Sequence, residues 1–108
     1  MKRKTIRRTF NEDVMCFIEN NNYKFNEIEI SEQDLKISCS YKFDLNDMTN
    51  YTLVLKVKDY MLELAIGLIT IRERLNEENN IIYDYIFKIK SEDRITRKKL
   101  LELIYLSK

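Results

Sequence analysis

The chain's 108 residues suit a single domain. Its 44% hydrophobic content is enough for a packed core, which excludes a wholly disordered chain. There is no histidine, so the usual residue for zinc ligation and acid–base catalysis is missing. Two cysteines without further soft ligands make no metal site, and neither a required cofactor nor an enzyme is expected.

The net charge of +1 hides a division along the chain. Residues 1–8 hold five bases (Lys2, Arg3, Lys4, Arg7, Arg8) and no acid. Residues 9–90 hold nine bases and fifteen acids, and residues 91–108 hold five bases and three acids. Residues 1–10 therefore read as a basic N-terminal arm on an acidic body that fills 11–108. Such an arm seeks phosphate, nucleic acid, anionic lipid or an acidic protein surface, or it salt-bridges its own body. No apolar run follows the basic residues as a signal peptide requires. The longest apolar stretch, Leu64 to Thr70, is too short to span a bilayer. A cytoplasmic location is expected, with Cys16 and Cys39 as reduced, buried thiols.

Val14, Cys16 and Ile18 alternate with Met15 and Phe17, which predicts a short strand. Asn20, Asn21 and Asn22 mark a turn, since asparagine tolerates the left-handed conformation. Tyr23 to Ile30 predicts a second strand and Ser31 to Asp34 a polar break. Leu35, Ile37 and Cys39 alternate with Lys36, Ser38 and Ser40 as a half-buried third strand. Asp44 to Asn50 is a polar loop, and Leu53, Leu55 and Val57 belong to a fourth strand. Tyr60 to Leu75 admits two readings. Leu62, Leu64, Ile66 and Leu68 alternate as in a strand, whereas Met61, Leu64, Ala65, Leu68, Ile71 and Leu75 form a helical stripe. Gly67 and the β-branched run Ile69-Thr70-Ile71 lean towards strand. Asn76 to Asn80 is a turn, and Ile81 to Ile89 is a sixth strand. Ser91 is placed to cap a terminal helix, with Glu92 and Asp93 at the positive end of its dipole. Arg97, Leu100, Leu101 and Ile104 form one side of that helix.

In this order the chain resembles the PilZ domain, a bacterial module known for binding cyclic di-GMP. The family opens with Arg-x-x-x-Arg, which Arg3-Lys4-Thr5-Ile6-Arg7 matches. Its second motif, Asp/Asn-x-Ser-x-x-Gly before an apolar strand, is similar to Glu29-Ile30-Ser31-Glu32-Gln33-Asp34-Leu35. Ser31 and the apolar frame of Ile30, Leu35 and Ile37 fit, while Glu29 replaces the acid or amide and Asp34 the glycine. Tyr83-Asp84-Tyr85-Ile86-Phe87 resembles the family's last strand, with Asp84 where glycine is common. The stretch from Ser91 resembles its closing helix. The resemblance favours strand for residues 60–75. It implies a mainly β fold: a six-stranded antiparallel barrel closed by a C-terminal helix.

The resemblance also implies a regulatory binding domain that passes a signal to a protein partner. Arg3 and Arg7 would clamp cyclic di-GMP, with Arg8 in reserve, and Glu29 and Ser31 would read a guanine. The residue chemistry agrees. An arginine fork bonds phosphate oxygens or the guanine O6/N7 edge, and a carboxylate accepts from guanine N1–H and N2–H₂. Asp34 is the departure with consequences. Its charge at ~5 Å from a phosphate is worth roughly 3 kcal/mol of repulsion at an effective dielectric near 20. If the position needs positive φ, aspartate is among the better substitutes for glycine. Two alternatives follow: a PilZ-like protein adaptor that has lost the ligand, and a nucleic-acid-binding barrel using the arm. The acidic body argues against the second.

Overall fold

The computed structural model describes residues 6–11, 14–19, 21–22, 25–42, 50–57 and 60–105. Its elements in chain order are β1 (Arg8–Phe10), β2 (Val14–Ile18), β3 (Asn21–Asn22), β4 (Glu27–Ile30), β5 (Asp34–Cys39), β6 (Tyr51–Val57), β7 (Tyr60–Leu75), β8 (Ile81–Ile89) and helix α1 (Arg94–Tyr105). The strands pair antiparallel in one sheet of order β1-β4-β5-β8-β7-β6-β2-β3, curled as a half-barrel. The chain is mainly β with one C-terminal helix, as expected. The six anticipated strands correspond to β2, β4, β5, β6, β7 and β8, and the two further strands are short.

One of these, β1, comes from the end of the basic arm. Phe10 is buried in the core, and the Arg8 guanidinium lies 4.5 Å from the centre of its ring. Residues 8–10 pair with Ile28 to Ile30 of β4. The other, β3, uses the asparagine run. Glu19 takes the left-handed position at φ 50°, and Asn21 and Asn22 pair back onto Ile18 and Phe17.

Alternation decides β7. Leu62, Leu64 and Ile66 are buried while Met61, Glu63 and Ala65 face outward, so the helical stripe is not realised. Cross-strand pairing to both β6 and β8 satisfies its backbone. A register shift between Leu68 and Thr70 leaves Ile69 exposed. At the β7–β8 turn, Asn76 Oδ1 accepts from the N–H groups of Glu78 and Asn80, and Asn79 has φ 63°.

The inner face of the sheet carries Ile28, Ile37, Leu35, Tyr85 and Phe87, and α1 adds Leu100, Leu103 and Ile104 to the same core. Leu101 is only half-buried. The cap differs from the expected one. Asp93, not Ser91, caps α1, its Oδ2 accepting from Thr96 N–H at 3.0 Å. Ser91 Oγ instead accepts from the N–H of Ala65 in β7 at 2.8 Å. No described helix is long and apolar enough to cross a membrane.

Both thiols are buried and free. Burial, and secondarily the neighbouring Cys39, pushes Cys16 up to about 12; burial, then the Asp84 charge, pushes Cys39 up to about 11. Since the thiolate is the reactive form, neither should react with a thiol-labelling disulfide at pH 8 in the native state. Both should react once urea unfolds the chain. Rapid labelling of the folded protein would contradict their burial.

Candidate functional site

The three residues that join β4 to β5 and Asp34, the first residue of β5, form a turn organised by Ser31. Its N–H donates to Asp34 O at 2.9 Å, and its Oγ accepts from the N–H groups of Gln33 and Asp34, each at 3.2 Å. The same hydroxyl donates to Asp34 Oδ1 at 2.9 Å. Ser31 is fully buried, so its hydroxyl serves the turn's interior. A serine in this place folds the backbone on itself and aims the next carboxylate.

That carboxylate meets Arg7. Nη1 and Nη2 donate to Asp34 Oδ1 and Oδ2 at 2.6 and 3.2 Å, a two-pronged pair. Glu29, which points outward from β4, lies 3.6 Å from the same Nη1. Burial alone would push the Asp34 pKa up. Hydrogen bonds from Arg7 and Ser31, and the charge of Arg7, outweigh it and hold the group below its ordinary value. The backbone at Asp34 is ordinary strand; the described non-glycine residues with positive φ are Glu19 and Asn79. Asp34 therefore strains nothing in taking the place where the resemblance has glycine.

Of the six anticipated site residues, the structure brings four together: Arg7, Glu29, Ser31 and Asp34. Arg8 is aimed elsewhere. Adjacent residues of a strand face opposite sides, and its Nη1 donates to the carbonyl of Leu103 in α1. Arg3 lies outside the described residues.

Other residues at this end escaped sequence reasoning. Lys88 stands across from Asp34 in the β5–β8 ladder, and Lys36 across from Glu29 in the β4–β5 ladder. Lys36 was legible, since it lies two residues from Asp34 on the same face. Lys88 needed the register between strands more than 50 residues apart. Helix α1 grips the turn through Arg97, whose Nη1 donates to Glu32 O at 2.8 Å, and through Tyr105, whose hydroxyl donates to Glu32 Oε2 at 3.2 Å. An open groove of about 690 Å³ runs from the turn along β7 and β8 to the start of α1.

A curled antiparallel sheet with a terminal helix places the chain among small β-barrel-like folds, and the comparisons narrow this to a PilZ-like fold. The chain is similar to the PilZ domain of YcgR from Escherichia coli, solved with cyclic di-GMP. The TM-score is 0.74 over 98% of this chain and 91% of that one, at 12% sequence identity. It is also similar to an uncharacterised protein from Legionella, with a TM-score of 0.60 over 93% of this chain and 91% of that one, at 21% identity. No family model and no curated protein matches the sequence.

Proposed function

We propose that this PilZ-like domain binds cyclic di-GMP at the β4–β5 turn and relays its presence through α1 to a protein partner. The observation that carries this reading is the convergence of Arg7, Glu29 and Asp34 on one face of a turn built by Ser31. Arg7 supplies the fork for a phosphate, and Glu29 supplies an acceptor for the guanine N1–H and N2–H₂ edge. Arg3 of the preceding arm is the second clamp in this proposal. Ser31 acts by shaping the turn rather than by touching the base.

Asp34 occupies the Arg7 fork as a phosphate would. Ligand binding in this reading is an exchange, in which the nucleotide phosphate displaces the internal carboxylate. Arg97 and Tyr105 connect the turn to α1, and Arg8 connects β1 to the end of the same helix. Rearrangement at Arg7 thereby reaches α1 from two sides, which supports the helix as the relay.

The test is titration calorimetry of the full chain with cyclic di-GMP at two salt concentrations. Saturable binding that weakens with salt is expected, because the Arg7 side chain is 41% exposed and its contacts are screened. The Arg7–Asp34 closure also favours a second reading, an adaptor that has dispensed with the ligand. If neither the wild type nor Asp34→Gly binds, that reading replaces the first.

A further inference from the structure

The outer face of strands β2, β6 and β7 departs from the polar outside usual for an antiparallel sheet packed on a core by its other face. Pairing puts Met15, Lys56 and Met61 in one row across the three strands and Phe17, Val54 and Glu63 in the next. Their neighbours Cys16, Leu55 and Leu62 belong to the core, so all six side chains stand on the outside. Met15 is 48% and Met61 59% exposed, Lys56 and Glu63 are exposed, and Phe17 and Val54 are half-buried. The Lys56 ammonium lies 5.5 Å from the centre of the Phe17 ring, which keeps it on this face. Single apolar side chains on a surface are ordinary, whereas four in adjoining positions mark a contact surface.

The placement of charge decides what fits this face. Lys56 stands across from Met61 and Val54 across from Glu63, so these four are the corners of one cell of the β6–β7 ladder. The two opposite charges occupy one diagonal and the two apolar side chains the other. Neighbours across a ladder are about 5 Å apart and alternate residues along a strand about 7 Å. A twofold axis lying in the face, close to the apolar diagonal, therefore exchanges the charged corners. Under that operation each Lys56 meets the Glu63 of the other copy, while Val54 and Met61 meet their own counterparts. One symmetry operation pairs both charges and covers both apolar corners, as an isologous interface requires. A partner surface of a single charge sign would pair one corner and repel the other.

We propose that the outer face of β2, β6 and β7 is a self-association surface on which two copies of this chain meet, with reciprocal Lys56–Glu63 pairs around an apolar centre. Met15 and Phe17, beside the cell on β2, widen the apolar contact. None of these strands borders the 31–34 turn, so the inference does not depend on the cyclic di-GMP reading. The face is small, which puts the dimer among the weak associations that bury less than about 1,200 Å².

The test is sedimentation equilibrium of the full chain from about 10 to about 500 µM, the range in which a small interface associates. The wild type should form a dimer and nothing larger, because a twofold contact closes on itself. Lys56→Glu and Glu63→Lys each set like charges together twice per dimer and should weaken association at least about tenfold. The double exchange Lys56→Glu/Glu63→Lys rebuilds both pairs in reverse and should restore it to within about threefold of wild type. Met61→Ser should weaken it about fivefold through lost apolar contact. The three substituted side chains are exposed, and thermal unfolding by circular dichroism checks that each variant is folded. A wild type that stays monomeric throughout, whatever other protein it binds, overturns the proposal. So does a dimer that both single reversals leave intact, or a double exchange that associates no better than the single ones.

Discussion

Arg7→Ala and Asp34→Gly are expected to move cyclic di-GMP affinity in opposite directions. Losing Arg7 removes a charge-assisted pair of hydrogen bonds to phosphate, worth about 1.5–3 kcal/mol, or roughly ten- to a hundredfold in affinity. Removing Asp34 frees the Arg7 fork from a partner held at 2.6 and 3.2 Å and takes a negative charge from the phosphate's surroundings. A partly exposed pair costs little to break, typically up to about 1 kcal/mol; the variant spares the ligand that cost, and relief of repulsion adds to the gain. The expected gain is therefore about tenfold. Asp34→Asn should give much of this gain while keeping an oxygen for Ser31. No part of it comes from backbone relaxation, since Asp34 is not at positive φ. The double variant Arg7→Ala/Asp34→Gly separates the two causes. If Asp34 acts mainly by occupying Arg7, its removal gains nothing once Arg7 is gone; if it acts by repelling the phosphate, the gain persists. Against burial, Arg7 and Ser31 hold Asp34 below its ordinary pKa; a phosphate that takes Arg7 away removes most of that hold, so the gap between wild type and Asp34→Asn should be no larger at pH 5.5 than at pH 7.5. Calorimetry on the wild type and these four variants at pH 5.5 and 7.5 reads all of this. An Asp34→Gly variant that binds no better than wild type would mean that the carboxylate does not compete.

What could be read from the sequence was whatever depends on near neighbours. The asparagine-rich 76–80 turn and the run from Ile81 to Ile89 predict β8 without any distant contact, whereas residues 60–75 carry a helical stripe as well as the alternation of Leu62, Leu64 and Ile66 and become strand by pairing on both sides. The Glu29-x-Ser31 stretch likewise signals a polar turn ahead of an apolar strand, and the structure builds that turn around Ser31. The readings that shifted depend on the rest of the fold. Arg8 and Phe10 read as arm because basic residues dominate there, yet burial of one aromatic ring and pairing to β4 make them strand. Ser91 and Asp93 are equally good caps on local grounds. The nearby Ala65 N–H takes the Ser91 hydroxyl and leaves Asp93 to start the helix. The Arg7–Asp34 pair crosses 27 residues, and no spacing rule predicts that a residue standing where the family has glycine will hold the arginine of the first motif.

Asp84→Ala is expected to lower stability by about 2–3 kcal/mol, which for a domain of this size is a fall in Tm of roughly 10–15 °C. Asp84 stands on β8 where the resemblance has glycine, and its side chain is only 9% exposed. It is fully used. Oδ1 accepts from Ser38 Oγ at 2.6 Å across the β5–β8 ladder, and Oδ2 accepts from Arg74 Nε at 2.7 Å. Ser38 is itself buried, so truncating Asp84 leaves a hydroxyl without its partner, and that loss exceeds the modest value of the half-exposed Arg74 pair. Ser38→Ala in the same chain removes the stranded hydroxyl, so the double variant should be more stable than the sum of the two single losses implies. The pH dependence has a definite sign. Burial would raise the Asp84 pKa, but hydrogen bonds from Arg74 and Ser38 and the charges of Arg74 and Lys36 hold it below the unfolded value. The unfolded chain then binds a proton more readily than the folded one, so Asp84 contributes its full stability above about pH 4 and loses it as the pH falls further. Urea unfolding of wild type and Asp84→Ala should accordingly give curves that lie apart at pH 7 and converge towards pH 2–3. A gap that stays constant down to pH 2 would show that the carboxylate's charge contributes nothing and that only its shape is used.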